Sequence, residues 1–222
     1  MKNIIKLIYF GDSITLGEGV EENQKWYYLL NEALRKEYWD KPIQIQGFCE
    51  GISGDTSRMG LLRMHTALFR WGGADIITIQ FGMNDCNFWE TDAGLPRVSP
   101  DSFTVNLKEI IDRCRQWKIP EVILQTNHPT LRDQVMANGK SYEENNQEYN
   151  KLIRVVAERK GIALVDIHKR FEQRLRQNPK IKLADLLLPY PDNLHLSEKG
   201  NLLYFELMKD EIRKSVKRLL AS

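Results

Sequence analysis

The chain has 222 residues, 42% of them hydrophobic, which is enough to bury one sizeable core, and its length favours a single domain over two. Its formal net charge is only +2, so charge gives no indication of a nucleic-acid or anionic-membrane partner. No run of about 18 apolar residues predicts a membrane span. The three cysteines lack CxxC spacing and favour reduced thiols. We therefore expect one cytoplasmic domain over residues 1–222, without a signal peptide.

Short apolar runs alternate with longer amphipathic stretches along the chain, which is typical of repeated strand–helix–strand units. Strands are predicted, in order, over residues 4–10, 43–48, 75–80, 121–126 and 163–166. Helices are predicted over 24–36, 102–117, 142–160 and 197–220, with a further helix that opens at 53–56 and runs to about 70. The prediction is an α/β fold with a parallel sheet. Two longer loops remain, 86–99 and 130–140.

The first three predicted strands are each followed by a turn that holds a polar group. Ser13 follows the first strand, Gly54 lies in a polar turn after the second, and Asn84 follows the third. Open α/β sheets bind ligands at the carboxyl ends of their strands. We therefore expect these three positions to share one face of the molecule.

Ser13 is a candidate nucleophile because Asp192 and His195, three positions apart near the other end of the chain, can activate it. A serine hydroxyl is a weak nucleophile until a base takes its proton. His195 can be that base, and Asp192 can orient its ring. The backbone N–H groups of Ser13 and Gly54, with the side-chain amide of Asn84, can converge as an oxyanion hole. These residues are the parts of a serine hydrolase.

Four sequence blocks carry these residues, and together they resemble the SGNH hydrolase family, also called the GDSL esterase/lipase family. The blocks run in order over nearly the whole chain: Phe10-Gly11-Asp12-Ser13-Ile14-Thr15, Gly51-Ile52-Ser53-Gly54-Asp55-Thr56, Gly82-Met83-Asn84-Asp85 and Asp192-Asn193-Leu194-His195. Two positions depart from the usual family pattern. Ile14 stands where a leucine is usual, and Leu196 replaces the proline that commonly follows the histidine.

The resemblance implies a three-layer αβα sandwich around a five-stranded parallel sheet, of the flavodoxin-like type, and hydrolysis of esters or thioesters without a metal ion or other cofactor. It implies catalytic roles for Ser13, Asp192 and His195, and an oxyanion hole made by Ser13, Gly54 and Asn84. The family includes lipases, thioesterases, carbohydrate deacetylases and lysophospholipases. The expected partner is therefore a small-molecule ester, and the resemblance leaves its class and the oligomeric state open.

Phe88 and Trp89 follow Asn84 closely and are predicted to rim the substrate site. A small pocket suits acetyl esters, and an aromatic rim suits the faces of sugar rings. We therefore expect short-acyl esters such as acetylated carbohydrates. A long-chain lipase, thioesterase or lysophospholipase is the alternative within the same family.

Several of these residues also have simpler interpretations. Ser13 can cap the helix that follows it, Gly54 can be a turn glycine, and Asn84 with Asp85 can form an ordinary turn. His65 and His128 are expected to be structural or at the surface, and Asp12 and Asp55 to accept from nearby backbone donors. Asp166 and His168 are a second acid–base pair after a strand, and Asp192 with His195 is preferred over them.

Two other function classes remain open from the residues alone. A divalent metal site for phosphoester hydrolysis is one, and its ligands would be Asp12, Asn84, Asp85, Asp192 and His195. That interpretation leaves Ser13 and Gly54 unused. A phosphate- or nucleotide-binding module is the other. It would rest on Gly11, Gly17 and Gly19, which match neither common glycine-rich fingerprint.

Overall fold

Five short apolar runs form one sheet in the computed structural model, which describes residues 3–221. The strands are β1 Ile4–Gly11, β2 Gln44–Gly51, β3 Ile76–Gln80, β4 Glu121–Gln125 and β5 Ala163–Val165. Every pairing is parallel, and the order across the sheet is β2-β1-β3-β4-β5. All five residues of β3 are buried because helices cover both faces of the sheet. The predicted five-stranded α/β sandwich is confirmed.

The helices form two layers, one on each face of the sheet. Helices α2, α6 and α8 pack together, and α4 packs against both α3 and α5. In chain order the α-helices are α1 Ser13–Leu16, α2 Trp26–Glu37, α3 Ser57–Trp71, α4 Pro100–Gln116, α5 Tyr142–Lys160, α6 Ile167–Gln177, α7 Leu183–Leu186 and α8 Glu198–Ala221. Single 3₁₀ turns cover Glu22–Gln24 and Glu90–Asp92. None of the helices in residues 3–221 is long and apolar enough to span a membrane.

Side-chain caps account for the element boundaries that differ from the sequence prediction. The predicted helix start at 53–56 moves to Ser57, because the Thr56 hydroxyl accepts from the Met59 N–H at 3.4 Å. The last strand ends before Asp166, whose carboxylate accepts from Lys169 N at 3.2 Å and begins α6. The second strand extends to Gly51, where it still pairs with Gly11 of β1.

The strand order reverses between β1 and β3. From β1 the chain crosses to β2 on one side, and from β2 it returns to β3 on the other. The turns that leave β1 and β3 therefore diverge and open a crevice at the carboxyl edge of the sheet, which is where such folds bind ligands. Ser13 and Asn84 lie in those two turns.

Candidate active site

Ser13 is the first residue of α1 and is held by a tight turn at the end of β1. The Asp12 carboxylate accepts from the Ile14 N–H at 2.9 Å and so caps the helix. Position 11 requires glycine because neighbouring atoms lie too close for a side chain. An added Cβ would clash with Thr15 Oγ1 and with the Gln80 carbonyl. The turn therefore fixes Ser13, which is 6% exposed, at the edge of the crevice.

Ser13, His195 and Asp192 form a continuous hydrogen-bonded chain. Ser13 Oγ lies 2.9 Å from His195 Nε2, and His195 Nδ1 lies 2.7 Å from Asp192 Oδ2. An ionised carboxylate can only accept, so Nδ1 carries the imidazole proton and Nε2 is the acceptor for the Ser13 hydroxyl. The structure thus brings together three residues that are up to 182 positions apart in sequence.

The Asp192 carboxylate is also held by its own loop. Its Oδ1 accepts from the backbone N–H of Leu194 at 2.9 Å and of His195 at 2.6 Å. Partial burial raises the pKa of Asp192, but the hydrogen bonds from the His195 ring and from these two N–H groups outweigh it and hold the pKa below its usual value. Asp192 is therefore ionised at neutral pH.

Gly54 and Asn84 lie in the turns that follow β2 and β3, at the same edge of the parallel sheet as Ser13. Gly54 has φ +78, which favours glycine, and a Cβ built there would meet nothing within 4 Å. The Asn84 amide donates to the Asp55 carbonyl at 3.0 Å, which fixes it beside the Gly54 turn. The N–H groups of Ser13 and Gly54 have no acceptor among residues 3–221. The two N–H groups and the Asn84 amide thus lie in the turns at the carboxyl edge of the sheet.

Asp85 has a structural role that the ordinary-turn interpretation misses. Its buried carboxylate accepts from Ser57 N at 2.9 Å and from Ser57 Oγ at 2.5 Å. Burial raises the pKa of Asp85 to about 6, although the Ser57 hydrogen bonds oppose the rise. This contact ties the turn after β3 to the first turn of α3, and it therefore fixes the separation of Asn84 and Gly54.

Of the two aspartates expected to bind backbone donors, only Asp12 does so. Asp12 also accepts from Gln80 Nε2 at 3.1 Å, and burial raises its pKa to about 7. For Asp55 the expectation is wrong, because its carboxylate pairs with Arg63 Nε at 2.5 Å. Arg63 also donates to the carbonyls of Gly11 at 2.8 Å and Glu50 at 2.9 Å, so it joins the ends of β1 and β2.

Asp166 and His168 do not form a second acid–base pair. The Asp166 carboxylate binds the Arg154 guanidinium at 2.7 and 2.9 Å, while His168 Nε2 lies 3.3 Å from Glu143 Oε1. Of the five residues of the metal alternative, Asp192 and His195 bind each other, whereas Asp12, Asn84 and Asp85 each bind a different partner. Within residues 3–221, no group of three or more His, Cys, Asp or Glu side chains is arranged to hold a metal ion.

His128 supports the loop that carries Asp192 and His195. It is fully buried, and its Nε2 lies 2.9 Å from the Leu194 carbonyl. Burial lowers the pKa of His128 to about 3, so the ring is neutral and donates through Nε2. Arg132 Nε adds a hydrogen bond of 2.9 Å to the Asp192 carbonyl. His65, in contrast, is an exposed residue of α3.

Phe88 and Trp89 line a cavity of about 480 Å³ between the two long loops, whose other walls include Arg132, Gln134 and Tyr142. The Arg97 guanidinium lies 3.7 Å from the centre of the Trp89 ring and donates to the Gly54 carbonyl at 3.1 Å. Because Arg132 also binds the Asp192 carbonyl, the cavity adjoins the loop of Asp192 and His195. We call this cavity the aromatic groove.

The sheet order and the polar crevice at its carboxyl edge define a flavodoxin-like α/β protein of the hydrolase type. The model of the GDSL-like lipase/acylhydrolase family matches residues 9–203. The chain therefore belongs to this ester-hydrolysing family, and the resemblance expected from the four sequence blocks is confirmed.

Two relatives of known name share part of the sequence. The chain is 31% identical over 124 residues to an arylesterase from Vibrio mimicus, a match that covers 56% of each protein. It is 31% identical over 109 residues to esterase TesA from Pseudomonas aeruginosa, covering 49% of this chain and 48% of that protein. The chain thus spans about half the length of each of these relatives.

Among solved structures, the fold is similar to that of the acetyl xylan esterase AlAXEase, with a TM-score of 0.72 at 26% sequence identity. The match covers 94% of this chain and 100% of the AlAXEase chain.

Proposed function

We propose that this chain hydrolyses short-acyl carboxylic esters, such as acetylated carbohydrates, through an acyl-enzyme on Ser13. The observation that carries the proposal is the hydrogen-bonded chain from Ser13 Oγ through His195 to Asp192, at 2.9 and 2.7 Å. It lies at the strand-order reversal, where this type of sheet opens to a ligand.

In the first step, Ser13 Oγ attacks the ester carbon while His195 Nε2 takes the hydroxyl proton. The bond from the acyl carbon to the leaving oxygen then breaks, and His195 returns the proton to that oxygen. In the second step, a water molecule gives a proton to His195 and attacks the acyl carbon. The carboxylic acid leaves, and His195 returns the proton to Ser13. The imidazole is thus regenerated in each half of the reaction.

Asp192 holds the His195 ring and favours the imidazolium that forms in both steps. Its lowered pKa keeps it ionised, and its second oxygen is occupied by two backbone N–H groups, so it cannot turn away from the ring. Asp192 is therefore proposed as the orienting acid, with no proton transfer to it.

The developing oxyanion is proposed to bind the N–H groups of Ser13 and Gly54 and the second N–H of the Asn84 amide. One Asn84 N–H is already fixed on the Asp55 carbonyl, which aligns the other without further ordering. At Gly54 the space that a Cβ would fill is open, so a substrate oxygen can approach the backbone.

The aromatic groove is proposed to bind the alcohol part of the ester. Trp89 and Phe88 offer flat apolar faces, and Arg132 and Gln134 offer hydrogen-bond donors. This combination suits a sugar, which has an apolar face and a rim of hydroxyl groups. The likeness to an acetyl xylan esterase supports an ester with a small acyl group.

The test compares the wild-type protein with Ser13→Ala and His195→Ala on p-nitrophenyl esters of rising chain length, an acetylated xylo-oligosaccharide and an acetyl thioester. His65→Ala is the matched control, because His65 lies exposed on α3. We expect a fluorophosphonate probe to label the wild type and the control but not Ser13→Ala. Full hydrolysis by Ser13→Ala would overturn the covalent mechanism, and a faster rate on palmitoyl than on acetyl esters would overturn the substrate class alone. Loss of activity with a chelator would favour the metal-dependent alternative.

A further inference from the structure

Glu18 brings a carboxylate to the Ser13–His195 pair, and the proposed mechanism does not use it. Gly17 ends α1 in the left-handed conformation, with φ 67, and turns the chain back over the helix. The Glu18 N–H then donates to the Ser13 carbonyl at 3.0 Å, and Glu18 Oε2 lies 3.8 Å from His195 Nε2. The same oxygen accepts a hydrogen bond from the Ser53 hydroxyl.

The Glu18 side chain is 44% exposed, and its carboxylate lies 3.8 Å from the ring nitrogen that faces Ser13. The Lys25 side chain lies against Gly17, but its ammonium group pairs with Glu22 at 3.0 Å. Glu18 therefore contributes negative charge where the leaving alcohol must pass.

The position of the leaving oxygen follows from the proton that it must receive. His195 Nε2 has to lie within about 3 Å of that oxygen to protonate it. Since Glu18 Oε2 is 3.8 Å from the same nitrogen, the leaving oxygen lies within about 7 Å of the carboxylate. The first atoms of the alcohol part are then near enough to feel the charge directly.

We propose, on the basis of the proposed function, that Glu18 sets the charge preference for the alcohol part of the ester. A carboxylate accepts hydrogen bonds from hydroxyl groups and attracts cations, so neutral polyhydroxylated and cationic alcohols are favoured. Alcohols that carry a carboxylate or phosphate close to the ester oxygen are repelled. Glu18 thus favours simple sugar esters over esters with an anionic alcohol part.

Three aryl acetates of similar shape isolate the charge of the leaving group: methyl 4-acetoxybenzoate is neutral, 4-acetoxybenzoate is anionic and 4-acetoxyphenyl-trimethylammonium is cationic. The value of kcat/KM is measured for each with wild type, Glu18→Gln and Glu18→Ala. Glu158→Gln is the control, because it removes one charge from an exposed position on α5. The ratio of variant to wild type for each ester cancels the differences in intrinsic reactivity.

We expect both Glu18 variants to raise kcat/KM for the anionic ester about tenfold relative to the neutral one, and to lower it for the cationic ester by a similar factor. The wild-type preference should shrink in about 0.5 M salt, because the site is partly exposed. Equal changes for all three esters would overturn the inference and show that Glu18 acts by positioning His195 or Ser53. The same reordering in Glu158→Gln would overturn it as a net-charge effect. If the wild type hydrolyses none of the three faster than Ser13→Ala does, the proposed function fails instead.

Discussion

Replacement of His128 by glutamine tests whether a buried neutral imidazole supports the Asp192–His195 loop. Burial lowers the pKa of His128 to about 3 from the ordinary histidine value of 6.5. Between these two values the unfolded chain binds a proton that the folded protein does not. The free energy of unfolding therefore falls as the pH falls from 6.5 towards 3, and this contribution is complete above pH 6.5.

The size of the effect follows from the two pKa values. One unit of difference corresponds to about 1.4 kcal/mol, so the His128 contribution falls by about 2 kcal/mol between pH 7.5 and pH 5. In His128→Gln this loss is absent, while the amide can still donate to the Leu194 carbonyl. The free energy of unfolding of the wild type minus that of the variant should therefore decrease by about 2 kcal/mol between pH 7.5 and pH 5. Urea titrations followed by tryptophan fluorescence measure it.

The buried carboxyls Asp12 and Asp85 titrate in the same pH range, with pKa values raised to about 7 and about 6 by burial. These two carboxyls raise the free energy of unfolding as the pH falls, because the folded protein binds protons that the unfolded chain does not. The contribution is the same in wild type and variant, so it cancels when the two free energies of unfolding are subtracted. His65→Gln, at an exposed site, is the control for the loss of a histidine. A stability difference between wild type and His128→Gln that is constant from pH 7.5 to pH 5 would refute a neutral buried His128.

Four kinetic predictions concern the site itself, each measured as kcat and KM on acetyl esters. Ser13→Ala and His195→Ala should each lower kcat by several orders of magnitude, and the double variant should be little worse because the residues act as a unit; additive losses would contradict this. Asn84→Ala should lower kcat by about 10²–10³ with little change in KM, and Asn84→Asp by as much or more because a donor becomes an anion; a raised KM alone would assign Asn84 to substrate binding. Gly54→Ala should lower kcat, since φ +78 is strained for alanine and the new methyl enters open space at the site; a normal kcat would remove Gly54 from the oxyanion hole. Trp89→Ala should raise KM for sugar esters more than it lowers kcat. A KM equal to that of the wild type would indicate that the alcohol part of the ester binds elsewhere.

The sheet and its ligand edge were predictable because they depend on local patterns. Buried strands read as short apolar runs, and the turns after β1 and β3 carry polar groups that the strands themselves exclude. Helix α6, in contrast, was not predicted from the sequence. Only Ile167, His168 and Phe171 of its eleven residues are buried, so the apolar stripe is too narrow to stand out.

The contacts that support the site could not be predicted from sequence patterns, because their partners lie far apart in the sequence. Asp85 binds Ser57 from 28 positions away, and His128 reaches Leu194 across 66 positions. The approach of Glu18 to His195 depends on the left-handed turn at Gly17 and on a serine from another segment. The Asp55–Arg63 pair is the exception, because a spacing of eight positions into a helix that starts at Ser57 could have suggested it.

The residues that hold the reactive groups in place are mostly different from those that line the aromatic groove. Asp192 fixes His195, the Asp55 carbonyl fixes Asn84 and Arg97 fixes Gly54, and such preorganised groups contribute to kcat. The groove walls come from the loops 86–99 and 130–140 and from Tyr142 of α5, and they are proposed to contact only the alcohol part. Substitutions in the groove should therefore change which ester is bound while the acyl-transfer step persists. Arg97 and Arg132 link the two sets, because each binds a groove wall and a backbone carbonyl of the site, and the groove residue Tyr142 donates to the Met83 carbonyl beside Asn84 at 2.7 Å.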